Sequence, residues 1–172
     1  MSQIDIYKIR RHCSNCDAQE EIEVTEREAA FDLVDINQRL GSNCKKCSSI
    51  SFFISRPLPI PNFELLKEWA FNEDLYFSSQ DEDLLLADGE ALDAILEILD
   101  MLQLPDYKTG ILMSALCVIV YNNTLGDDPQ FAELRVRVIE ELNKRLDKLL
   151  IADAFIMDYI KAIVYPQLTE SN

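Results

Sequence analysis

His12-Cys13-Ser14-Asn15-Cys16 and Asn43-Cys44-Lys45-Lys46-Cys47 decide how the amino-terminal part of the chain folds. Each holds a Cys-x-x-Cys pair, and 27 residues lie between Cys16 and Cys44. Two such turns bring four thiolates to the corners of a tetrahedron, the arrangement in which structural Zn²⁺ is held. Sulfur fills all four positions, so none is left for water or substrate, and a closed site of this kind supports a fold rather than chemistry. Iron accepts the same four thiolates and is the alternative metal. A thioredoxin-type dithiol needs one C-x-x-C at a strand–helix junction, not two matched pairs. About 50 residues with few core-sized side chains are hard to stabilise by burial alone. Metal binding to thiolates releases on the order of 10 kcal/mol, which becomes folding free energy.

Outward from the first turn, Ile4, Ile6, Tyr7 and Ile9 give an imperfect alternation that reads as a strand feeding it. Glu21-Ile22-Glu23-Val24 alternates again as the return strand. Thr25-Glu26-Arg27-Glu28 is a capping box, a hydroxyl residue with Glu three positions later. Ala30, Leu33, Val34 and Leu40 continue as one helix that Gly41 can end. Ser49 to Ile54 closes the module as a last strand. With strands entering and leaving C-S-N-C and C-K-K-C, residues 4–56 resemble a zinc ribbon. The resemblance implies Cys13, Cys16, Cys44 and Cys47 as ligands. Zinc-ribbon turns often carry Gly after the second Cys, where φ is positive; here Asp17 and Ser48 stand in that place. His12, the only histidine, lies beside Cys13 but is not needed by a complete set of four sulfurs. Arg10, Arg11, Lys45 and Lys46 flank the turns. They could touch phosphate, but a four-thiolate zinc is formally −2 and nearby cations also serve to offset it.

Pro57-Leu58-Pro59-Ile60-Pro61 cannot continue a sheet interior and reads as a semi-rigid strut between two domains, 1–56 and 62–172. Beyond it the period is helical. Asn62 can cap a helix through Phe63, Leu66, Trp69 and Ala70. Asp81-Glu82-Asp83 lacks the glycine and distal Glu that an EF-hand loop requires. Leu92, Ile95, Leu96, Leu99 and Leu102 form an apolar stripe, and Pro105 follows its end. Asp106 can cap the next helix, running to about Tyr121, which is apolar on nearly every side and must be surrounded by others; Cys117 sits within it as a small buried thiol. Asp128-Pro129 starts a fourth and longest helix lined by Phe131, Leu134, Val138, Leu142, Leu146 and Leu149, with Glu140/Lys144 and Glu141/Arg145 as i,i+4 pairs outside. A fifth runs from Asp153 to Val164 and Pro166 ends it. The fold class is therefore α+β: a small β-rich module, then about five antiparallel helices as a compact bundle, with a short HEAT-like stack as the alternative.

The net charge of −15 is unevenly spread. Residues 1–61 hold 8 Lys+Arg and 9 Asp+Glu, whereas residues 62–172 hold 8 and 22. Such an acidic helical half repels phosphate backbones and suits a protein partner, a basic one in particular. No signal peptide or membrane-length apolar run is readable, and spaced C-x-x-C pairs without a secretory signal favour metal over disulfides, so the expected location is cytoplasmic. Phosphate-binding glycine loops, nucleophile elbows and a histidine base beyond His12 are missing, which leaves no enzyme signature. The expected function is a non-enzymatic protein-binding or adaptor protein. The alternatives are a nucleic-acid-associated zinc-ribbon factor and an acidic inhibitor or immunity-type protein directed at a basic partner.

Overall fold

A computed structural model describes residues 6–41, 43–49, 52–54, 62–77, 86–87, 89–101, 104–124 and 129–168. The proline strut at 57–61 and the expected cap Asp128 lie outside the described residues. The chain is α+β and divides into two compact units, Met1–Pro61 with Leu75–Gln80, and Asn62–Asp74 with Asp81–Asn172.

In the first unit, β1 (Ile6–Cys13) pairs antiparallel with β2 (Gln19–Thr25), from Ile6 opposite Thr25 to His12 opposite Gln19. The short strand β3 (Phe52–Ile54) adds to the other edge of β1, with Cys13 opposite Phe52, so the sheet order is β2-β1-β3. Strand alternation turns Tyr7, Ile9, Arg11 and Cys13 inward and leaves Ile6 exposed, which resolves the imperfect pattern read from the sequence. The helical segment behind β2 starts on Thr25, whose hydroxyl and backbone exchange both capping-box bonds with Glu28. It is two helices rather than one, α1 (Glu26–Phe31) and α2 (Leu33–Leu40), kinked at Asp32 where φ is −112° and ψ 17°. The Asp32 N–H reaches the Glu28 carbonyl and the Ile36 N–H the Asp32 carbonyl, so one bond closes α1 and one opens α2 at the kink. Ala29, Leu33 and Ile36 thereby meet Ile9 and Val24 in a small core to which Tyr7 and Ile22 add. Gly41 ends α2 with φ of +74°, as the sequence suggested.

In the second unit Asn62 caps α3 (Phe63–Phe71) by accepting from the Leu65 N–H at 3.0 Å. A 3₁₀ turn, Gly89–Ala91, leads into α4 (Leu92–Asp100), which buries Leu92, Ile95, Ile98 and Leu99. Helix α5 (Asp106–Asn122) is the hub: Leu112 to Val120 are all buried, and it packs against α4, α6 (Pro129–Asn143), α7 (Leu146–Ala152) and α8 (Asp158–Leu168). One helix packed against four others is the arrangement of a compact bundle. Within this core Lys108 lies fully buried with its ammonium 4.0 Å from the centroid of buried Trp69.

Several sequence expectations change here. The fourth expected helix is two, because the chain turns at Lys144 and Arg145, so six α-helices stand in this unit among the described residues and α5 is the longest at 17 residues. Leu146 is half-exposed for the same reason, and Lys144 pairs with Glu141 rather than Glu140. The last helix begins at Asp158 and continues through Pro166 to Leu168; proline removes a hydrogen bond only in the final turn, where the Gln167 side chain donates to the Ile163 carbonyl at 2.7 Å. No helix among the described residues is long and apolar enough to cross a membrane.

Candidate metal centre

The two Cys-x-x-Cys turns are built alike, atom for atom along the backbone. In the first, the Cys13 N–H donates to the Ala18 carbonyl at 2.9 Å and the Asp17 N–H to the Cys13 carbonyl at 3.0 Å. In the second, the Cys44 N–H donates to the Ser49 carbonyl at 2.9 Å and the Ser48 N–H to the Cys44 carbonyl at 2.7 Å. Closing this turn requires a left-handed residue after the second cysteine. Asp17 and Ser48 supply it at φ 55° and 59°, the only non-glycine residues of positive φ among those described. Pairing of β3 with the end of β1 then returns the second turn beside the first.

The result is four sulfurs, those of Cys13, Cys16, Cys44 and Cys47, all within 4.8 Å of one another. Cys13 and Cys47 lie 3.7 Å apart, Cys16 and Cys44 3.6 Å. Tetrahedral sulfurs about 2.3 Å from a central zinc would stand roughly 3.8 Å apart, so the set fits such an ion. A disulfide needs about 2.05 Å, and all four thiols are free. Cys13 and Cys44 are buried, Cys16 and Cys47 half-buried. The donor set is all sulfur; half-buried His12 is not part of it.

Several donors already point at these sulfurs. The Asn15 amide reaches across the gap to the Cys47 sulfur at 3.5 Å. That bond, followed by one from the Ser49 N–H, draws the Cys47 thiol down to about 6. At Cys44 burial pushes the other way, but the N–H groups of Cys47 and Lys46 bring it below its ordinary value. At Cys16 the Ala18 N–H is the largest single influence and lowers it, yet burial and the three neighbouring sulfurs together raise it to about 12. A metal bound by these sulfurs displaces their protons.

The flanking cations have separate fates. Arg11 is buried beneath the sheet, and its Nη2 donates to the Gly41 carbonyl at 2.8 Å, so it ties β1 to the end of α2 instead of facing solvent. Arg10, Lys45 and Lys46 are exposed. Lys45 reaches Glu20 at 3.2 Å and links the second turn to β2. Asn15 and the Lys45–Glu20 pair escaped sequence reading, because nothing in C-S-N-C announces a partner 32 residues away.

In the helical unit Cys117 is fully buried, and burial pushes its thiol up to about 12, so it is inert. A mostly apolar groove of about 320 Å³ is lined by Leu146, Leu149, Leu150, Asp153, Tyr165 and Leu168. Asp153 at its edge accepts from Tyr165 at 2.8 Å and from Lys161 at 3.0 Å. The acidic excess lies elsewhere: residues 62–128 hold 15 Asp+Glu against 2 Lys+Arg, whereas residues 129–172 hold 7 against 6. Comparison with known proteins gives no match to a protein family, a curated protein or a solved structure.

Proposed function

We propose that the chain is a non-enzymatic protein-binding or adaptor protein, with a zinc-ribbon-like unit held by structural Zn²⁺ and an acidic helical unit that meets a protein partner. The observation that carries the metal half is the pair of matched turns converging four sulfurs within 4.8 Å. Bound zinc would supply four metal–sulfur bonds cross-linking the turns, and the sulfurs of Cys13, Cys16, Cys44 and Cys47 would leave no position for a reacting water. Supporting the partner half are the 15-to-2 excess of acids over bases in residues 62–128 and the exposure of Glu64, Glu73, Asp74, Glu90, Asp93, Glu97 and Asp106. A surface of that charge favours a basic protein face and disfavours nucleic acid. Burial of Arg11 removes one of the four cations that a nucleic-acid reading would use.

Elemental analysis of the purified chain tests the first half: one zinc per chain and no colour is expected, whereas a red-brown protein with iron would replace zinc by a redox ion. Cross-linking in cell extract followed by peptide mapping tests the second. Partners should attach through residues 62–172 and leave as ionic strength rises; attachment confined to the amino-terminal unit, or indifferent to salt, argues against an electrostatic partner surface.

A further inference from the structure

We infer that the four cysteines form an oxidation site of fixed pairing, in which a peroxide joins Cys13 to Cys47 and Cys16 to Cys44 and the two disulfides replace the metal as the tie between the turns. The inference rests on the structural-metal reading for the starting state, but its pairing rests on geometry alone. Two cross-turn pairs, Cys13 with Cys47 and Cys16 with Cys44, stand at 3.7 and 3.6 Å, and each need close only to about 2.05 Å. Within one turn the backbone is pinned on both sides of the first cysteine, by Cys13 N–H to Ala18 and Asp17 N–H to Cys13 and by their counterparts at Cys44.

Exposure divides the labour. Cys16 and Cys47 are half-buried and meet the oxidant, while Cys44 and Cys13 are buried at 1% and 0% exposure and resolve the intermediate. The exposed thiolate attacks one peroxide oxygen and becomes a sulfenic acid, and the other oxygen leaves as hydroxide. The buried partner then attacks that sulfur, forming the S–S bond and expelling a second hydroxide. With two protons taken up, each pair loses two electrons and one peroxide becomes two waters. Both pairs together consume two peroxides and four protons and release the dication. The new bonds span 34 and 28 residues, so they restrain the unfolded chain far more than bonds within a turn would, and the oxidised unit keeps its fold.

The test begins with zinc content, measured on the full chain before oxidation. Two equivalents of hydrogen peroxide are then added with a chromogenic chelator, free thiols are blocked, and disulfide-linked peptides are mapped by mass spectrometry. One zinc released per chain is expected, with a loss of about 4 Da from the reduced metal-free chain. The linked peptides should join Cys13 with Cys47 and Cys16 with Cys44, while buried Cys117 remains a thiol. The Cys13→Ser/Cys47→Ser double variant should form only the Cys16–Cys44 link. Peptides joining Cys13 with Cys16 or Cys44 with Cys47, or sulfinic acids without links, overturn the inference. Zinc well below one per chain at the outset strikes the metal reading alone, and the pairing is then read on the metal-free chain by the same map.

Discussion

Asp17 and Ser48 occupy the same place in the two turns and are held at φ 55° and 59°. A left-handed conformation costs an ordinary L-residue about 1–2 kcal/mol, less for Asp, whose short side chain tolerates it. Glycine removes that cost but loses about 0.5–1 kcal/mol through greater freedom of the unfolded chain. Ser48→Gly should therefore stabilise the zinc-loaded protein by about 0.5 kcal/mol, Asp17→Gly should be nearly neutral, and Ser48→Val should destabilise by more than about 1 kcal/mol. Denaturant midpoints at fixed zinc would check the order; a Val variant as stable as the parent would mean the turn does not need the left-handed residue. This much of the centre was legible, since Cys-x-x-Cys dictates both ligands and turn, and the residue after it inherits the strained angle. Arg11 was not legible as a buried residue. Its neighbours Arg10 and His12 read alike, and only the phase of β1, set by burying Ile9 and Cys13, turns it inward.

The break between α6 and α7 shows where element-scale reading stops. Glu140 to Leu149 is rich in good helix formers, and the apolar period runs on through Leu142 and Leu149, so nothing local predicts a turn at Lys144 and Arg145. At the break Arg145, 8% exposed, places Nη1 on Glu141, and its Nε and Nη2 reach the Asp100 carboxylate at the end of α4, 45 residues back, at 2.8–3.0 Å. Arg145→Met should cost about 2–3 kcal/mol, and Arg145→Lys most of that, because an ammonium cannot bridge two carboxylates in the plane the guanidinium does. Thermal unfolding of both variants is the measurement; a Lys variant equal to the parent would show that charge alone suffices. Glu141 is held below the usual carboxylate range, first by its bond to Lys144 and then by Arg145. A lowered folded pKa gives stability that is complete above the ordinary Glu value and drains as pH falls through the folded one. The stability gap between the parent and Glu141→Gln should accordingly be widest near neutrality and close in acid; a gap that persists in acid would assign the loss to packing instead. A Cβ on Gly110 of α5 would run into the ring of Phe155, which lies between α7 and α8. Gly110→Ala should lose about 1–3 kcal/mol despite better helix propensity, and Phe155→Ala should make it harmless in a double-mutant cycle. Additive losses would place the strain elsewhere.

At the scale of the whole chain the two units draw on different sources of stability. The helical unit buries Leu66, Trp69, Leu92, Ile95, Ile98, Leu99 and most of α5, each large side chain worth roughly 1.5–3 kcal/mol. Among its described residues the amino-terminal unit buries Ile9, Val24, Leu33, Ile36 and Phe77 with two alanines, and Arg11, Cys13 and Cys44 are buried there as well. That inventory was implicit in the sequence, where the apolar runs of residues 106–121 contrast with the sparse alternation of residues 4–24. The kink at Asp32 and the number of helices were not, because both depend on which distant surface each segment covers. A metal contribution on the order of 10 kcal/mol equals or exceeds the whole stability of a typical small domain. Stripping the metal with a tight chelator should therefore unfold the amino-terminal unit outright and leave the helical unit standing. The single tryptophan, Trp69, lies fully buried in the helical unit under Lys108, so its fluorescence should not change on chelation. Amides paired between β1 and β2 should meanwhile lose their protection against hydrogen exchange, and those of α5 should keep theirs. Readdition of zinc should restore the strand amides, with half-recovery following metal rather than protein concentration. If β1 and β2 stay protected without metal, the few aliphatic side chains of that unit suffice by themselves and the four sulfurs must be kept together for something other than folding.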